Sequence, residues 1–236
     1  FVHGLQGDPV NSWTYTPPAI QSQACTIRSR LQKLSLFPKR QPSEVPPAKP
    51  EHAPVFWPGD LLAVDKDLSN VRLLTFGYNS DVLRIFGATG RNNISQHAKN
   101  LVGDLLGERE GTARPIIFVC HSLGGIIVKE ALRLSSVAQF RPREQRLYQD
   151  TFGIVFLGTP HRGSSWASWG SLCSNLAKLA LQSTTSTLLQ QIQVDSAVLQ
   201  IIAHNFSNMI RDDIKIHSFR EERGMSGLYG FDAKVA

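Results

Sequence analysis

The feature that most constrains this chain is an apolar segment that enters a serine-centred turn and continues as an amphipathic helix. Residues 116–119 are β-branched or aromatic, as in a buried strand, and the sequence Cys-His-Ser-Leu-Gly-Gly follows, with Ser122 at its centre. Gly124 and Gly125 leave room where the helix must turn back against the strand. The pattern predicts a nucleophile elbow, in which the Ser122 hydroxyl is exposed to a base and a substrate carbonyl.

The motif departs from the usual Gly-x-Ser-x-Gly at its first position, where Cys120 stands. A small residue still fits this crowded turn. The alternative interpretation is a buried strand followed by a glycine-broken helix, with Ser122 acting only as an N-cap. Because short motifs also occur by chance, the choice depends on the rest of the chain.

The amino end supplies a second element of the same kind of site. Phe-Val-His-Gly-Leu-Gln-Gly is typical of a strand end that enters a glycine-rich loop. Serine hydrolases with an elbow stabilise the oxyanion through the backbone N–H after the nucleophile and through one N–H from the loop after an earlier strand. We therefore expect Leu123 and Leu5 to form the oxyanion hole.

A third apolar run, residues 151–157, ends in Gly-Thr-Pro-His-Arg-Gly-Ser. Ligands of open α/β sheets bind outside the carboxyl ends of the strands, so His161 and Arg162 are expected to line the mouth of the site. The alternative for both is an ordinary solvated or hydrogen-bonded loop side chain.

Strand and helix patterns alternate along the chain, which predicts an α/β fold with a mostly parallel sheet covered by helices on both faces. Further strands are expected at residues 71–78 and 213–219, and helices at 93–107 behind an Asn93 cap, 171–182 and 195–210. With 236 residues, 42% of them hydrophobic, the chain is expected to form a single domain over residues 1–236.

Composition narrows the functional classes. No apolar run approaches the roughly 18 residues of a membrane span, and no signal peptide is evident. Three cysteines in no metal-like cluster indicate an intracellular, reducing compartment, and Cys120 and Cys173 are expected to be core residues. No cofactor and no metal are expected.

The net charge of +6 does not indicate a nucleic-acid partner, because much of it lies in one proline-rich segment. Between Pro17 and Pro58 there are six Arg or Lys against two Glu, together with nine of the 13 prolines. Residues 17–56 are therefore interpreted as a basic insertion in the domain. Contact with anionic lipid or a partner is the alternative to a solvated insertion.

Five motifs in order give the chain a family resemblance: His-Gly-Leu, Leu-Leu-Thr-Phe-Gly-Tyr-Asn, Cys-His-Ser-Leu-Gly-Gly, Gly-Thr-Pro-His-Arg-Gly-Ser and Ile-His-Ser-Phe-Arg-Glu. Apart from residues 17–56, the chain resembles the α/β-hydrolases of the serine-active-site-containing protein type, related to lipase-like serine esterases. In fungi such domains stand at the amino end of multidomain proteins. The resemblance implies a cytoplasmic protein, with association with the mitochondrial or endoplasmic reticulum membrane and linked downstream domains.

The resemblance also implies a serine nucleophile, an acid after a late strand and a histidine beyond it. Glu221 comes just after the strand predicted at 213–219, and we expect it to be the acid; Asp232 is the alternative, and an exposed charge at Glu221 is a third interpretation. No histidine follows Glu221 in the sequence. The catalytic histidine is therefore expected beyond residue 236, with the domain partial at both ends.

Two functions remain open from the sequence. The first is a serine esterase or lipase-like hydrolase that acts on carboxylic esters of lipids or small acyl compounds. The second is a non-catalytic α/β-hydrolase module that serves as a signalling or interaction domain of a larger protein.

Overall fold

The computed structural model describes residues 1–17, 53–81, 90–109, 113–161 and 200–219. Predictions for other parts of the chain lie outside these residues, namely those for Cys173, Arg162, Glu221, Asp232, the helix at 171–182 and most of the basic insertion. The chain divides into two compact units, one of Phe1–Ser12 with Arg72–Ala236 and the other of Trp13–Val71. That the whole chain is one domain stays a prediction.

The described elements follow one another as short strands and helices. The strands are β1 (Thr14–Tyr15), β2 (Val55–Phe56), β3 (Ile116–His121), β4 (Thr151–Leu157) and β5 (Lys215–Phe219). The helices are α1 (Gly90–Glu108), α2 (Leu123–Ser136) and α3 (Pro142–Gln149), and residues 200–209 are also helical. Short helical turns occur at Asn11–Trp13, Pro58–Leu62 and Lys66–Leu68.

The larger unit contains a parallel sheet in the order β3-β4-β5. Val2 extends this sheet, because it forms parallel bridges to Cys120 on one side and to Phe76 on the other. Its N–H donates to the Val119 carbonyl at 2.9 Å, and its carbonyl accepts from the His121 N–H at 3.0 Å. Helices together with a parallel sheet confirm the predicted α/β class.

The core lies between the sheet and α2. Alternate residues of β3 and β4 point to this side and are buried, among them Phe118, Cys120 and Phe156. Helix α2 packs on β3 and is flanked by α1 and α3, so its first ten residues are all buried. A helix surrounded in this way can be apolar on nearly every face, which explains the uninterrupted apolar run after the elbow.

Several predicted boundaries are wrong. Helix α1 begins at Gly90, so Asn93 lies within the helix and is not its N-cap. Among the described residues, the strand expected at 71–78 is reduced to the bridge between Phe76 and Val2. Strand β5 begins at Lys215, where its pairing with Gly153 starts, two residues later than expected.

The smaller unit holds the two ends of the basic insertion. Strands β1 and β2 pair antiparallel, with Thr14 opposite Phe56 and Tyr15 opposite Val55. The last two residues of the predicted insertion, Val55 and Phe56, therefore form strand β2. Trp13 is buried and contacts the ring of Trp57 edge-on at 5.7 Å. Among the helices in the described ranges, none has the length and the apolar character needed to cross a membrane.

Candidate active site

The predicted sharp turn between strand and helix is present at Ser122. The residue joins β3 to α2 with φ 53° and ψ −120°, a backbone conformation that residues other than glycine rarely adopt. Its N–H donates to the Leu157 carbonyl at 2.9 Å. Its carbonyl accepts from the Gly125 N–H at 3.2 Å and from the Thr159 hydroxyl at 3.1 Å. The surrounding hydrogen bonds thus hold a strained backbone in place.

Glycines allow the opening segment of the chain to lie directly against this turn. A β-carbon on Gly124 would lie 2.3 Å from the Val2 carbonyl oxygen and 2.4 Å from that of His3. A β-carbon on Gly4 would lie 2.8 Å from the β-carbon of Ser122. The structure therefore brings together the glycine-rich loop and the elbow, which are more than a hundred residues apart in sequence.

Neighbouring hydrogen bonds fix the loop that carries Leu5. The N–H of Gln6, a residue with φ 55°, donates to the Ser80 carbonyl at 3.0 Å, and the N–H of Gly7 donates to the Gly4 carbonyl at 3.2 Å. The Ser80 hydroxyl donates to the Gly7 carbonyl at 2.8 Å. Within the part of the chain that the structure describes, the Leu5 N–H donates to no group.

The second predicted oxyanion donor is at the start of α2. Leu123 is the first residue of this helix and is fully buried. The first N–H groups of a helix have no partner within it, and the Leu123 N–H donates to no group among the described residues. Both predicted donors are thus available on backbone segments that meet at Ser122, although their role stays a prediction.

Sequence reasoning did not identify His3 as a support for the loop. His3 is fully buried and its ring stacks on Tyr78 at 4.3 Å between centroids. Its Nδ1 lies 3.0 Å from the Gly4 carbonyl, and its Nε2 accepts from the Tyr78 N–H at 3.4 Å, which assigns the proton to Nδ1. Burial lowers the pKa of His3, so the ring is a neutral structural group.

His161 lies in a polar cluster, and none of its hydrogen bonds with described residues goes to Ser122. Its Nδ1 is 3.2 Å from Nζ of Lys129, and its Nε2 is 3.2 Å from the Ser218 hydroxyl. The ring edge packs on Phe156, which is on the α2 side of the sheet. Burial, and then the neighbouring Lys129 ammonium, lower the pKa of His161 to about 4. The alternative interpretation, a hydrogen-bonded loop side chain, describes these contacts better than a group at the mouth of the site.

Lys129 belongs to the same cluster and, unlike His161, was not identified from the sequence. Only 1% of the residue is exposed, and its ammonium donates to the Pro160 carbonyl at 3.2 Å. Burial lowers its pKa to about 8. The available sequence signal was one lysine directly after the apolar residues 126–128 of a helix that is buried on most sides.

The Ser122 hydroxyl has no hydrogen-bond partner among the described residues. The histidines in these ranges, none of which bonds to it, are His3, His97, His121, His161, His204 and His217. Glu221 and Asp232 lie outside the described residues, so the structure tests neither acid. Where side chains are described, no group of three histidine, cysteine, aspartate or glutamate residues is arranged to hold a metal ion.

Known proteins resemble this chain distantly. Protein SERAC1 of Homo sapiens is 24% identical over 214 residues, which cover 90% of this chain and 28% of that protein. Protein SERAC1 of Bos taurus is 28% identical over 168 residues, covering 70% of this chain and 24% of that protein. The chain spans about a quarter of the length of these relatives. No protein-family model and no solved structure matches. The similarities support a hydrolase-like family for this chain.

Proposed function

We propose that this chain is the hydrolase region of a serine esterase or lipase-like enzyme acting on carboxylic esters of lipids or small acyl compounds. One observation carries the proposal: Ser122 occupies a strained turn where two backbone segments meet, each with an N–H group that donates to no described residue. A strained residue that its surroundings hold in place is typical of functional sites. The distant similarity to Protein SERAC1 and the α/β fold support the same proposal.

The proposed reaction is an acyl transfer in two steps. The Ser122 hydroxyl attacks the ester carbonyl, a base accepts its proton, and the carbonyl oxygen becomes an oxyanion that accepts hydrogen bonds from the Leu5 and Leu123 N–H groups. Collapse of this intermediate breaks the bond to the alcohol oxygen, to which the base returns the proton, and leaves an acyl-serine. Water then attacks the acyl-serine through a second oxyanion, and the carboxylic acid leaves with Ser122 restored.

The orientation of α2 favours this chemistry. The helix begins immediately after Ser122, and its amino end carries a partial positive charge that stabilises negative charge nearby. The base is proposed to be a histidine beyond residue 236, oriented by Glu221 or alternatively by Asp232. Intracellular location, peripheral membrane contact and linked downstream domains belong to the same proposal.

A fluorophosphonate probe on the full-length protein tests the proposal. We expect covalent labelling at Ser122, identified by peptide mass spectrometry, and no labelling of Ser122→Ala. The same substitution should lower the hydrolysis of short p-nitrophenyl esters by on the order of 10⁶ while leaving the protein folded. A Ser122→Ala variant that retains half of the esterase activity would exclude Ser122 as the nucleophile.

The second candidate function is a non-catalytic module. The observation in its favour is that no described histidine bonds to the Ser122 hydroxyl. A full-length protein that is folded, as judged by a cooperative thermal transition, but that the probe does not label would support this function.

A further inference from the structure

The loop of residues 158–161, which follows β4, contacts both the elbow and the middle of α2. We propose that Lys129 is a positioning residue that holds this 158–161 loop so that Thr159 keeps the Ser122 peptide in its strained orientation. The inference rests on the proposed function, since it concerns the reactivity of Ser122. Its structural part concerns only the backbone of the elbow and is tested separately.

The contact with the elbow is made by Thr159. This residue is 1% exposed, and its hydroxyl donates to the Ser122 carbonyl at 3.1 Å. Its side chain also fills the space above Gly125, where a β-carbon would lie 2.3 Å from the Thr159 hydroxyl oxygen. A hydrogen bond and a steric contact from one side chain therefore restrain the peptide unit that follows Ser122.

The 158–161 loop leaves the sheet in a defined conformation. Gly158 has φ 58°, in the left-handed region that favours glycine, and its N–H donates to the Phe219 carbonyl at 2.9 Å. The carbonyl of Leu157, one residue earlier, accepts the Ser122 N–H. The end of β4 thus binds the N–H of Ser122, and the loop after it binds the carbonyl of the same residue.

Lys129 holds the other end of the loop. Its ammonium donates to the Pro160 carbonyl and lies 3.2 Å from Nδ1 of His161. The aromatic rings of Phe156 and Phe206 lie 5.1 Å and 5.6 Å from the ammonium, within the range of a cation–π contact. Among the described residues, no carboxylate lies within ion-pair distance of it. The polar contacts of this buried charge are therefore all with the loop.

The spacing along α2 explains how the two contacts cooperate. Lys129 follows Ser122 by seven residues, which is about two helical turns, so both face the same side of the helix. Thr159 and Pro160 are adjacent, and each is bound to one of these two positions. Fixing the loop at Pro160 therefore restricts the freedom of Thr159 at the elbow.

A double-mutant cycle on the full-length protein tests this coupling. Thr159→Val removes the hydroxyl but keeps the shape, whereas Thr159→Ser keeps the hydroxyl. We expect Thr159→Val and Lys129→Met each to slow fluorophosphonate labelling of Ser122 by about tenfold or more, because small displacements of reacting groups have effects of this size. Thr159→Ser should restore a rate close to that of the wild type. The double variant should be no slower than the slower single variant, since Lys129 acts through Thr159.

Amide hydrogen exchange supplies a readout that does not depend on catalysis. We expect the Gly125 N–H, which donates to the Ser122 carbonyl, to exchange faster in both single variants by more than the change in global stability that urea unfolding measures for each. Wild-type protein without labelling would contradict the proposed function, and faster exchange would then still support the restraint of the elbow. Unchanged exchange in Thr159→Val, or labelling effects that multiply in the double variant, would overturn the inference.

Discussion

Gly124 faces Val2 so closely that a β-carbon at position 124 would lie 2.3 Å from the Val2 carbonyl oxygen. The contact joins the first turn of α2 to the opening segment of the chain, in which Val2 forms bridges to Cys120 on one side and to Phe76 on the other. The atoms that an added β-carbon would meet are backbone atoms of Val2 and His3. The clash could therefore be relieved only by movement of the helix or of the segment at the sheet. This relationship makes glycine at position 124 a condition for the assembly of the site.

Gly124→Ala should therefore destabilise the protein by about 1–3 kcal/mol, as expected when a tightly packed region is overfilled. Gly103→Ala is the matched control, because Gly103 is exposed within α1 and no atom lies within 4 Å of its added β-carbon. That control should stabilise the protein by up to about 1 kcal/mol through helix propensity. Urea unfolding of both variants provides the measurement, and equal effects at the two positions would contradict the close packing.

Ser122→Gly should be more stable than Ser122→Ala by about 1 kcal/mol or more, because only the glycine relieves the strain of a φ of 53°. Both variants lack the hydroxyl, so the comparison isolates the backbone. Thermal unfolding monitored by circular dichroism is sufficient. A lower stability for the glycine variant would show that the turn is not strained.

Ser80→Ala should slow labelling of Ser122 by about tenfold, since the loop that carries the Leu5 N–H loses its hydrogen bond at the Gly7 carbonyl. The loss in stability should be only about 1 kcal/mol. Ser136→Ala is the control, because it removes a comparable bond, from its hydroxyl to the Arg133 carbonyl, at the other end of α2. Similar labelling rates for the two variants would argue against Leu5 as a donor.

The acid is tested by comparing Glu221→Gln with Asp232→Asn. Removal of the true acid should lower turnover by about 10⁴, since the acid holds the catalytic imidazole in the required tautomer. We expect Glu221→Gln to show this loss in a p-nitrophenyl ester assay of the full-length protein. A crippled Asp232→Asn variant beside an active Glu221→Gln variant would reverse the assignment.

The stability of the protein should depend on pH through Lys129. Burial lowers the pKa of this lysine from its ordinary 10.5 to about 8, so between these values the unfolded chain binds more protons than the folded one. Wild-type stability should therefore rise, relative to Lys129→Met, as the pH increases from 8 to 10.5, by on the order of 3 kcal/mol at most. The groups that face the ammonium do not titrate in this window, since the pKa of His161 is lowered to about 4 and that of Cys120 is raised to about 12.

Urea unfolding of the wild type and of Lys129→Met at pH 7.5 and pH 10 measures this dependence. The variant also serves as the reference for all other titrating groups. A stability difference that is the same at both pH values would mean that the ammonium is not buried as described.

Local pattern was sufficient to predict the parts of the site that lie in one segment. The apolar run and the glycines after Ser122 predicted strand β3, the turn and α2, because strand propensity and steric demand act within a few residues. Residues 151–164 were predicted to form a buried strand that ends in a turn for the same reason, and strand β4 occupies the first seven of them. The close approach of the glycine-rich loop to the elbow was predicted from the way such loops cooperate with elbows in serine hydrolases, not from the local pattern itself.

The supporting contacts could not be predicted from local pattern. The bonds of Ser80 to the loop that carries Leu5 and of Lys129 to the 158–161 loop join residues 73 and 31 positions apart. Nothing in the sequence near Ser80 distinguishes it from an ordinary loop serine, and the apolar residues 126–128 before Lys129 indicate burial but not which loop its ammonium contacts. The start of α1 was also misplaced, because an asparagine is compatible with an N-cap and with a helix interior.

The burial of Cys120, two positions before Ser122, has a practical consequence. Cys120 is fully buried beneath the bridge to Val2, and burial raises the pKa of its thiol to about 12, so almost no thiolate exists at neutral pH. Alkylating agents and mild oxidants, which react with the thiolate, should leave this position intact. A preparation can therefore be treated with a thiol-blocking reagent before serine chemistry is assayed, without modification of the strand that supports the elbow.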